Sequence, residues 1–535
     1  MNHQMLMASL ILIPAIFGIV LYKLPLKLGK FVLLGVQGYL LALAVFLFLQ
    51  TENHHELYAI LGGEDPILNI VLRGDRLSLL LVVLTNFLFW IGFVYKIKDR
   101  FFDGKLMLLY LILQGLTSGI FLTDDLFNLF ILFEVSTVVT TLLLMFKRDG
   151  RVVYDALYYL ITQMVSMLFF LFGVGFLYRT FGMLSISQIG SLIYETPASE
   201  LVLPFSFMMA GLCFKLGIFP MHGWVSRAYG LSSAPITQVA VMSSMMMKAS
   251  LYWLFRFHDM FLPAFDYSLI LIAFAVVTQI FAAVKAISQK DIRLILSFST
   301  VSQIGLMLAA SLIGNDYSHI GSLYHIVNHA IFKMILFLSA GLIIRKYQTA
   351  NIYEIRGVMK HIPFAGVVTV IGMLAITGFP LTNGSISKYF MSAGLGSVWL
   401  EILFWVMNFG TILVFVKYGR MLLSSEKEAS VIRGVKSFSI GLLVFVSLVT
   451  GFLMSRGINS LLQVNLQVDM MKFLQKGIIY VVLVILAVIV YEKARPKKKI
   501  LYDRIEHSLS FSRMCLVFVA FFTMLVMYGL LEVRS

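Results

Sequence analysis

Apolar runs of about 20 residues, the length that spans a bilayer, recur from one end of the chain to the other with short polar stretches between them. They predict 16 membrane-crossing helices, centred near residues 14, 40, 86, 115, 136, 165, 211, 244, 275, 303, 333, 372, 408, 446, 483 and 522. No stretch rich in proline, glycine and serine divides the chain, so the expectation is one all-α, polytopic membrane unit. Only His3 precedes the first run. That run lacks the positive flank of a cleavable signal peptide and is expected to remain as a helix. One long polar segment, "YEKARPKKKILYDRIEHSLSFSR" (491–513), joins the last two runs. It reads as a cytoplasmic surface helix or loop, with partner docking as the alternative.

Composition supports a membrane class over a soluble one. Hydrophobic residues make up 60% of the 535-residue chain and charged ones 13%, with mean hydropathy +0.91. A soluble domain carries about 25% charged residues. With the N-terminus outside and 16 crossings, 30 of the 42 Lys and Arg residues fall in cytoplasmic segments. Eight fall outside and four within the runs, the asymmetry that the positive-inside rule describes. The predicted location is the cell (cytoplasmic) membrane. The net charge of +15 then reflects topology and contact with anionic lipids. No nucleic-acid motif accompanies it. Cys213 and Cys515 have neither metal-ligand nor redox spacing and read as buried packing residues.

The chemistry lies in the charges that the apolar runs contain. An ionisable side chain at mid-membrane costs several kcal/mol unless paired or hydrated, and marks function by default. Glu134 lies ten residues beyond Asp124, about 15 Å along a helix. Lys215, Lys248 and Lys333 sit at similar depths in their own runs, and Lys388 lies in another. One acid and several bases at one level form a row across the membrane plane if their helices adjoin; the plain alternative is a set of static structural charges. His325, His329 and Lys333 recur every four residues and share one helix face, drifting by about 40° per step. Histidine suits a proton relay because its ordinary pKa lies near neutrality. The pair also has metal-ligand spacing, but no further ligands cluster near it, and no metal is expected.

Two runs carry a proline break, "KLGIFPMHGW" at Pro220 and "TGFPLTNGSISKYF" at Pro380. Proline removes a backbone donor, while Gly223 and Gly384 ease unwinding. Broken helices in membranes are tolerated where they line protein or a wet cavity. Lys215 precedes its break; Lys388 follows its own by eight residues, five runs later. That reversed order is what two inverted repeats produce, and paired broken segments point to an ion site.

These residues carry a family resemblance. "TDDLFNLFILFEV", "FKLGIFPMHGWVSRAY", "SAPITQVAVMSSMMMKASLYW", "QKDIRLILSFSTVSQIG", "YHIVNHAIFKMILFLSAG" and "GFPLTNGSISK" resemble the antiporter-like, proton-translocating subunits of respiratory complex I. They also resemble the D-type subunit of Mrp cation/proton antiporters and its counterparts in membrane-bound hydrogenases. The stretches span residues 123 to 388. "PLTNGSIS" departs from the family's aromatic-rich pattern, with Ser385 after the glycine. The resemblance implies about 14 core helices with two inverted five-helix repeats. The division is residues 1–105 (helices 1–3), 106–257 (first repeat), 258–424 (second repeat) and 425–535, which holds about two extra C-terminal helices. It implies a translocation row of Glu134, Lys215, Lys248, His329 and Lys388, flanked by His325 and Lys333. In this reading Glu134 stands beside Lys215 and holds its proton.

The implied function is translocation of protons, or exchange of Na+ for H+, as one membrane subunit among others in a multi-protein complex. The rival is a stand-alone secondary transporter whose lysines bind a small anionic solute. No nucleophile triad, nucleotide loop or cofactor motif appears, so no cofactor is expected. Catalysis enters only if the chain is the pump subunit of an oxidoreductase-coupled translocase. Single cysteines at positions 98, 148 and 498, in a background without Cys213 and Cys515, are expected to react with impermeant thiol reagents from the cytoplasmic side alone. Reaction of any one from outside in intact cells contradicts the 16-span topology.

Overall fold

In lipid every backbone N–H and C=O must be satisfied within its own segment, so the apolar runs fold as helices. The computed structural model describes residues 3–52, 55–63, 69–99, 103–146, 150–230, 236–423, 435–494 and 510–534. Helices α1 (His3–Lys23) and α2 (Leu26–Leu49) lead into an antiparallel hairpin of β1 (Leu57–Leu61) and β2 (Ile70–Gly74). Next come α3 (Arg76–Lys96), α4 (Gly104–Leu122), α5 (Leu126–Leu144), α6 (Gly150–Phe181), the short α7 (Ile186–Leu192) and α8 (Ala198–Leu216). The middle of the chain forms α9 (Gly223–Tyr229), α10 (Ile236–Val241), α11 (Met247–Phe261), α12 (Ser268–Ser288), α13 (Ile292–Ile313) and α14 (Asp316–Tyr347). After α15 (Val358–His361) follow α16 (Pro363–Thr377), α17 (Asn383–Ala393), α18 (Val398–Gly419) and α19 (Val435–Phe452). The chain ends with α20 (Ser455–Leu462), α21 (Met470–Ala494) and α22 (Phe511–Glu532).

Among the described residues fourteen helices are long and apolar enough to cross a membrane, so this is a multi-pass membrane protein. Two further crossings are interrupted. Between α10 and α11 lies a π turn, Met242–Met246, and between α16 and α17 the helix stops altogether. With these two the structure accounts for all 16 apolar runs. The hairpin was not anticipated from the sequence. It is anchored by the Arg73–Glu56 ion pair at 2.6 Å and by a bridge from Leu72 to Thr123. It marks one face of the bundle, where Arg76 donates to the carbonyls of Ser460 and Leu461 and the Asn315 N–H donates to the carbonyl of Gly394.

Polar residues at the run edges start the helices. Asp75 and Ser78 form a reciprocal cap on α3, while Asp103, Asp125, Asp291 and Asn315 cap α4, α5, α13 and α14. The central pair is α13 and α14, each 94% buried across its apolar window, against 17% for α21 and 28% for α22. The last two helices are therefore additions at the edge. Helix α22 packs aromatic rings on the first half of the chain, Phe518 on Phe169 and Phe214, and it sets Phe521 against Phe274 of α12. Helix α21 lies on α18 through Tyr480 and Ala487. Cys213 is buried as expected, but Cys515 on α22 is only half-buried because that helix has a single protein-facing side. Most of the 491–513 connection lies outside the described residues, as do positions 148 and 498.

Glycine at 384 is dictated by a close approach. A Cβ there would stand 1.8 Å from the carbonyl oxygen of Ala375, where the first turn of α17 crosses the end of α16. Gly38 on α2 meets nothing within 4 Å. Gly384→Ala is expected to destabilise the fold by about 1–3 kcal/mol, the usual cost of overpacking, and to lower the Tm of the detergent-purified protein. Gly38→Ala serves as the control and should leave Tm unchanged or slightly raised. Equal Tm values for the two variants contradict the close crossing.

Candidate functional site

Lys215, Lys248, Lys333 and Lys388 are all buried, and three of the four lie at or beside irregular backbone. Lys215 is in the last turn of α8, which stops at Gly217 in the left-handed conformation. The chain then passes through Ile218, Phe219, the cis peptide to Pro220 and Met221 before α9 resumes at Gly223. Trp224 folds back from α9 and donates to the carbonyl of Phe214 at 3.1 Å, recapturing an acceptor that the break releases. Lys215 Nζ donates to Thr137 Oγ1 at 2.9 Å, reaches Gln163 Oε1 at 3.5 Å and lies 5.1 Å from the Phe133 ring centre.

Glu134 is on the same turn of α5 as Phe133 and Thr137, yet it does not form the expected direct pair with Lys215. Its side chain is half-buried between Ile131 and Val135, both 40% exposed, and Oε1 bonds to no described residue. The Lys215 hydrogen bond goes instead to Thr137, three residues on along the same face of α5. Asp124, which precedes that helix, is structural. It accepts from the hydroxyls of Ser185 at 3.0 Å and Ser187 at 2.5 Å, while burial pushes its carboxyl above the ordinary range.

Lys248 is fully buried and follows the π turn directly. In that turn Met247 N–H reaches back five residues to Met242, and Lys248 Nζ donates to the carbonyl of Ser243. Wide turns of this kind occur often at functional sites. Ser243 Oγ bonds Thr300 Oγ1 at 2.7 Å, and Thr300 donates to the carbonyl of Leu296 at 3.1 Å. That carbonyl also accepts from Lys333 Nζ at 2.7 Å, and Ser299 Oγ lies 2.5 Å from the same nitrogen. Lys248 and Lys333 are thus joined through one turn of α13.

His325 and His329 differ in their hydrogen bonding. His325 is bonded on both sides, to Ser387 Oγ at 2.7 Å and Gln303 Oε1 at 3.1 Å. Both ring nitrogens of His329 are buried and bond to no described residue. Its ring centre lies 6.1 Å from that of His325, and both rings pack on Phe332. His325 thus links Gln303 of α13 to Ser387 of α17. Among the described residues there is no cluster of side chains that could hold a metal ion.

At the second break, α16 ends at Thr377, Gly378 and Leu381 take positive φ, and α17 begins at Asn383. In a continuous helix the carbonyl of Ile376 would accept from residue 380, and Pro380 has no N–H. Lys388 Nζ takes that carbonyl at 2.7 Å and Asn408 Oδ1 at 2.6 Å. Asn408 Nδ2 in turn donates to Thr377 O at 3.3 Å. Hydrogen bonds to a charged group contribute about 1.5–3 kcal/mol each, so two of them offset much of the burial cost. Thr137, Gln163, Ser243, Ser299, Thr300, Gln303, Ser387 and Asn408 complete the site. The sequence signal for them was only a polar residue inside an apolar run.

Comparison with known proteins agrees with this architecture. NADH-quinone oxidoreductase subunit N of Desulforudis audaxviator is 31% identical over 343 residues, covering 62% of this chain and 68% of that protein. The D-type subunit of the Na(+)/H(+) antiporter of Alkalihalophilus pseudofirmus is 26% identical over 399 residues, covering 71% and 78%. Among solved structures, an archaeal membrane-bound sulfane sulfur reductase contains a chain matching at TM-score 0.80 and 22% identity, over 91% of this chain and 99% of that one. A chain of the Mrp complex of Dietzia sp. DQ12-45-1b matches at TM-score 0.78 and 19% identity, over 90% and 100%. Respiratory complex I of Thermus thermophilus supplies a third match, at TM-score 0.73 and 21% identity over 85% and 98%. All three matched chains are subunits of multi-subunit membrane complexes. The family described as "NADH:quinone oxidoreductase/Mrp antiporter, TM" matches residues 123–416, more than half of the sequence, and the chain belongs to it.

Proposed function

We propose that this protein translocates protons along the buried row that runs from Glu134 through Lys215, Lys248, Lys333 and the two histidines to Lys388. It does so as one subunit of a multi-subunit membrane complex, with residues 106–257 and 258–424 acting as inverted repeats and the hairpin face outside. The observation that carries the reading is the choice of hydrogen-bond partners. Every lysine of the row bonds neutral oxygens, a backbone carbonyl, a hydroxyl or an amide, and none is locked in an ion pair with a carboxylate of a described residue. A buried amine held this way can lose its proton without leaving an unpaired carboxylate behind.

The nature of the row also selects the ion. Amines and imidazoles carry protons, whereas a bare metal cation needs a cage of oxygen ligands. Glu134 is the row's only carboxylate and stands at one end of it, half-buried. The lysines are committed to protein acceptors, so none is aimed at an anionic solute, which disfavours the stand-alone transporter.

Replacement of the first two members tests the row. Glu134→Gln, nearly unchanged in shape, is expected to abolish proton pumping or antiport in everted vesicles, while Glu134→Asp retains part of it. Lys215→Ala should fail as well. The double neutral variant should also fail, because the carrier is gone. Two static charges behave otherwise: removing both partners of a buried pair is often tolerated. Recovery of transport in the double variant, with assembly intact, overturns the row.

A further inference from the structure

Lys388 is the last charge of the row within the family-matched residues, but the structure continues beyond it. Lys476 lies on α21, outside the matched region, in the second turn of a helix that is otherwise almost wholly apolar. Its Nζ donates to Ser392 Oγ at 2.6 Å, lies 3.2 Å from Glu401 Oε1 and stands 5.1 Å over the Tyr389 ring. The side chain is 13% exposed, so it is neither a lipid-facing anchor nor freely solvated.

Two cavities meet at this lysine. One is an open cleft of about 740 Å³ on the hairpin face, lined by Asn315, Tyr317, Glu401, Asp469, Lys472 and Lys476 among others. The other is a small cavity of about 20 Å³, deeper in the bundle, lined by both Lys388 and Lys476. That volume suffices for one water molecule, which needs at least about 10–15 Å³. Tyr389, Ser392 and Trp405 line both cavities, and the Trp405 indole N–H is buried with no partner among the described residues. Lys476 therefore stands between the cavity that Lys388 lines and the cleft.

Resting on the row proposed above, we infer that Lys476 is a further proton carrier, which the appended helix α21 adds to the end of the row. The Lys388 ammonium gives a proton to a water in the small cavity, and that water passes one to the neutral amine of Lys476. Lys476 then releases a proton to the cleft. Glu401 and Ser392 hold the Lys476 ammonium between the two transfers. One proton leaves Lys388 and one reaches the cleft, and both amines are ready for the next cycle.

Arginine at position 476 separates carrier from structural roles. Lys476→Arg keeps the positive charge and the pairing with Glu401, but guanidinium does not give up its proton in proteins. In everted vesicles containing the assembled complex, Lys476→Arg is expected to lower proton translocation by at least about tenfold, the scale of losing a positioned proton-transfer group. Lys476→His, which can titrate, should retain part of the activity. If the arginine variant does not assemble, Lys476→Gln, which keeps a hydrogen bond to Ser392 without a proton to pass, answers the same question. Parental translocation in Lys476→Arg or Lys476→Gln overturns the proposal. Glu134→Gln assayed alongside separates the two failures: if it is inactive while the 476 variants are normal, only Lys476 is excluded from the row.

Discussion

A protonated amine inside a bilayer must find oxygen acceptors, and a regular helix offers only the second lone pairs of carbonyls already bonded. Every carbonyl of an uninterrupted α-helix is already taken by the N–H four residues on. The fold meets this constraint by releasing carbonyls locally. Pro380 frees the carbonyl of Ile376 for Lys388, and the π turn offers that of Ser243 to Lys248. Lys333 shares the Leu296 carbonyl with the Thr300 hydroxyl. The close crossing at Gly384 and the placement of Asn408 follow, since both shape the second break around Lys388.

The same constraint bears on function. Buried carboxylate partners would fix the lysines of the row as salt bridges, costly to break and insensitive to their neighbours; Glu401, beside Lys476, is instead 35% exposed at the cleft. Neutral partners hold the ammonium form with less force. In the proposed row, hydroxyls and carbonyls link Lys248 to Lys333 through Ser243 and Thr300. The His329 ring, with neither nitrogen bonded to a described residue, lies 6.1 Å from that of His325.

Much of this was legible in the sequence. The apolar runs fixed the crossings because hydrophobic length is set by the bilayer. The proline breaks and intramembrane charges stood out because both are costly in lipid. Three features were not legible, each for a physical reason. The π turn at Met242–Met246 leaves no residue signature, since it differs from an α turn by one residue of register. That Lys215 bonds Thr137 and not Glu134, and that His325 and not His329 is bonded on both sides, depends on side-chain direction around packed helices, which spacing along one helix does not determine. The position of Lys476 beside a cavity that Lys388 lines depends on how α21 packs against α18.

The central claim is that the lysines carry protons and are not merely tolerated. Lys248 tests it most directly, because it is fully buried, lies mid-row and donates to a backbone carbonyl that its own span supplies. The measurement is proton translocation by the intact complex in sealed vesicles after Lys248→Met, which keeps length and apolar volume while removing the titrating group. The account predicts a complex that assembles normally and does not move protons. A Lys248→Met complex that translocates protons at the parental rate would contradict it.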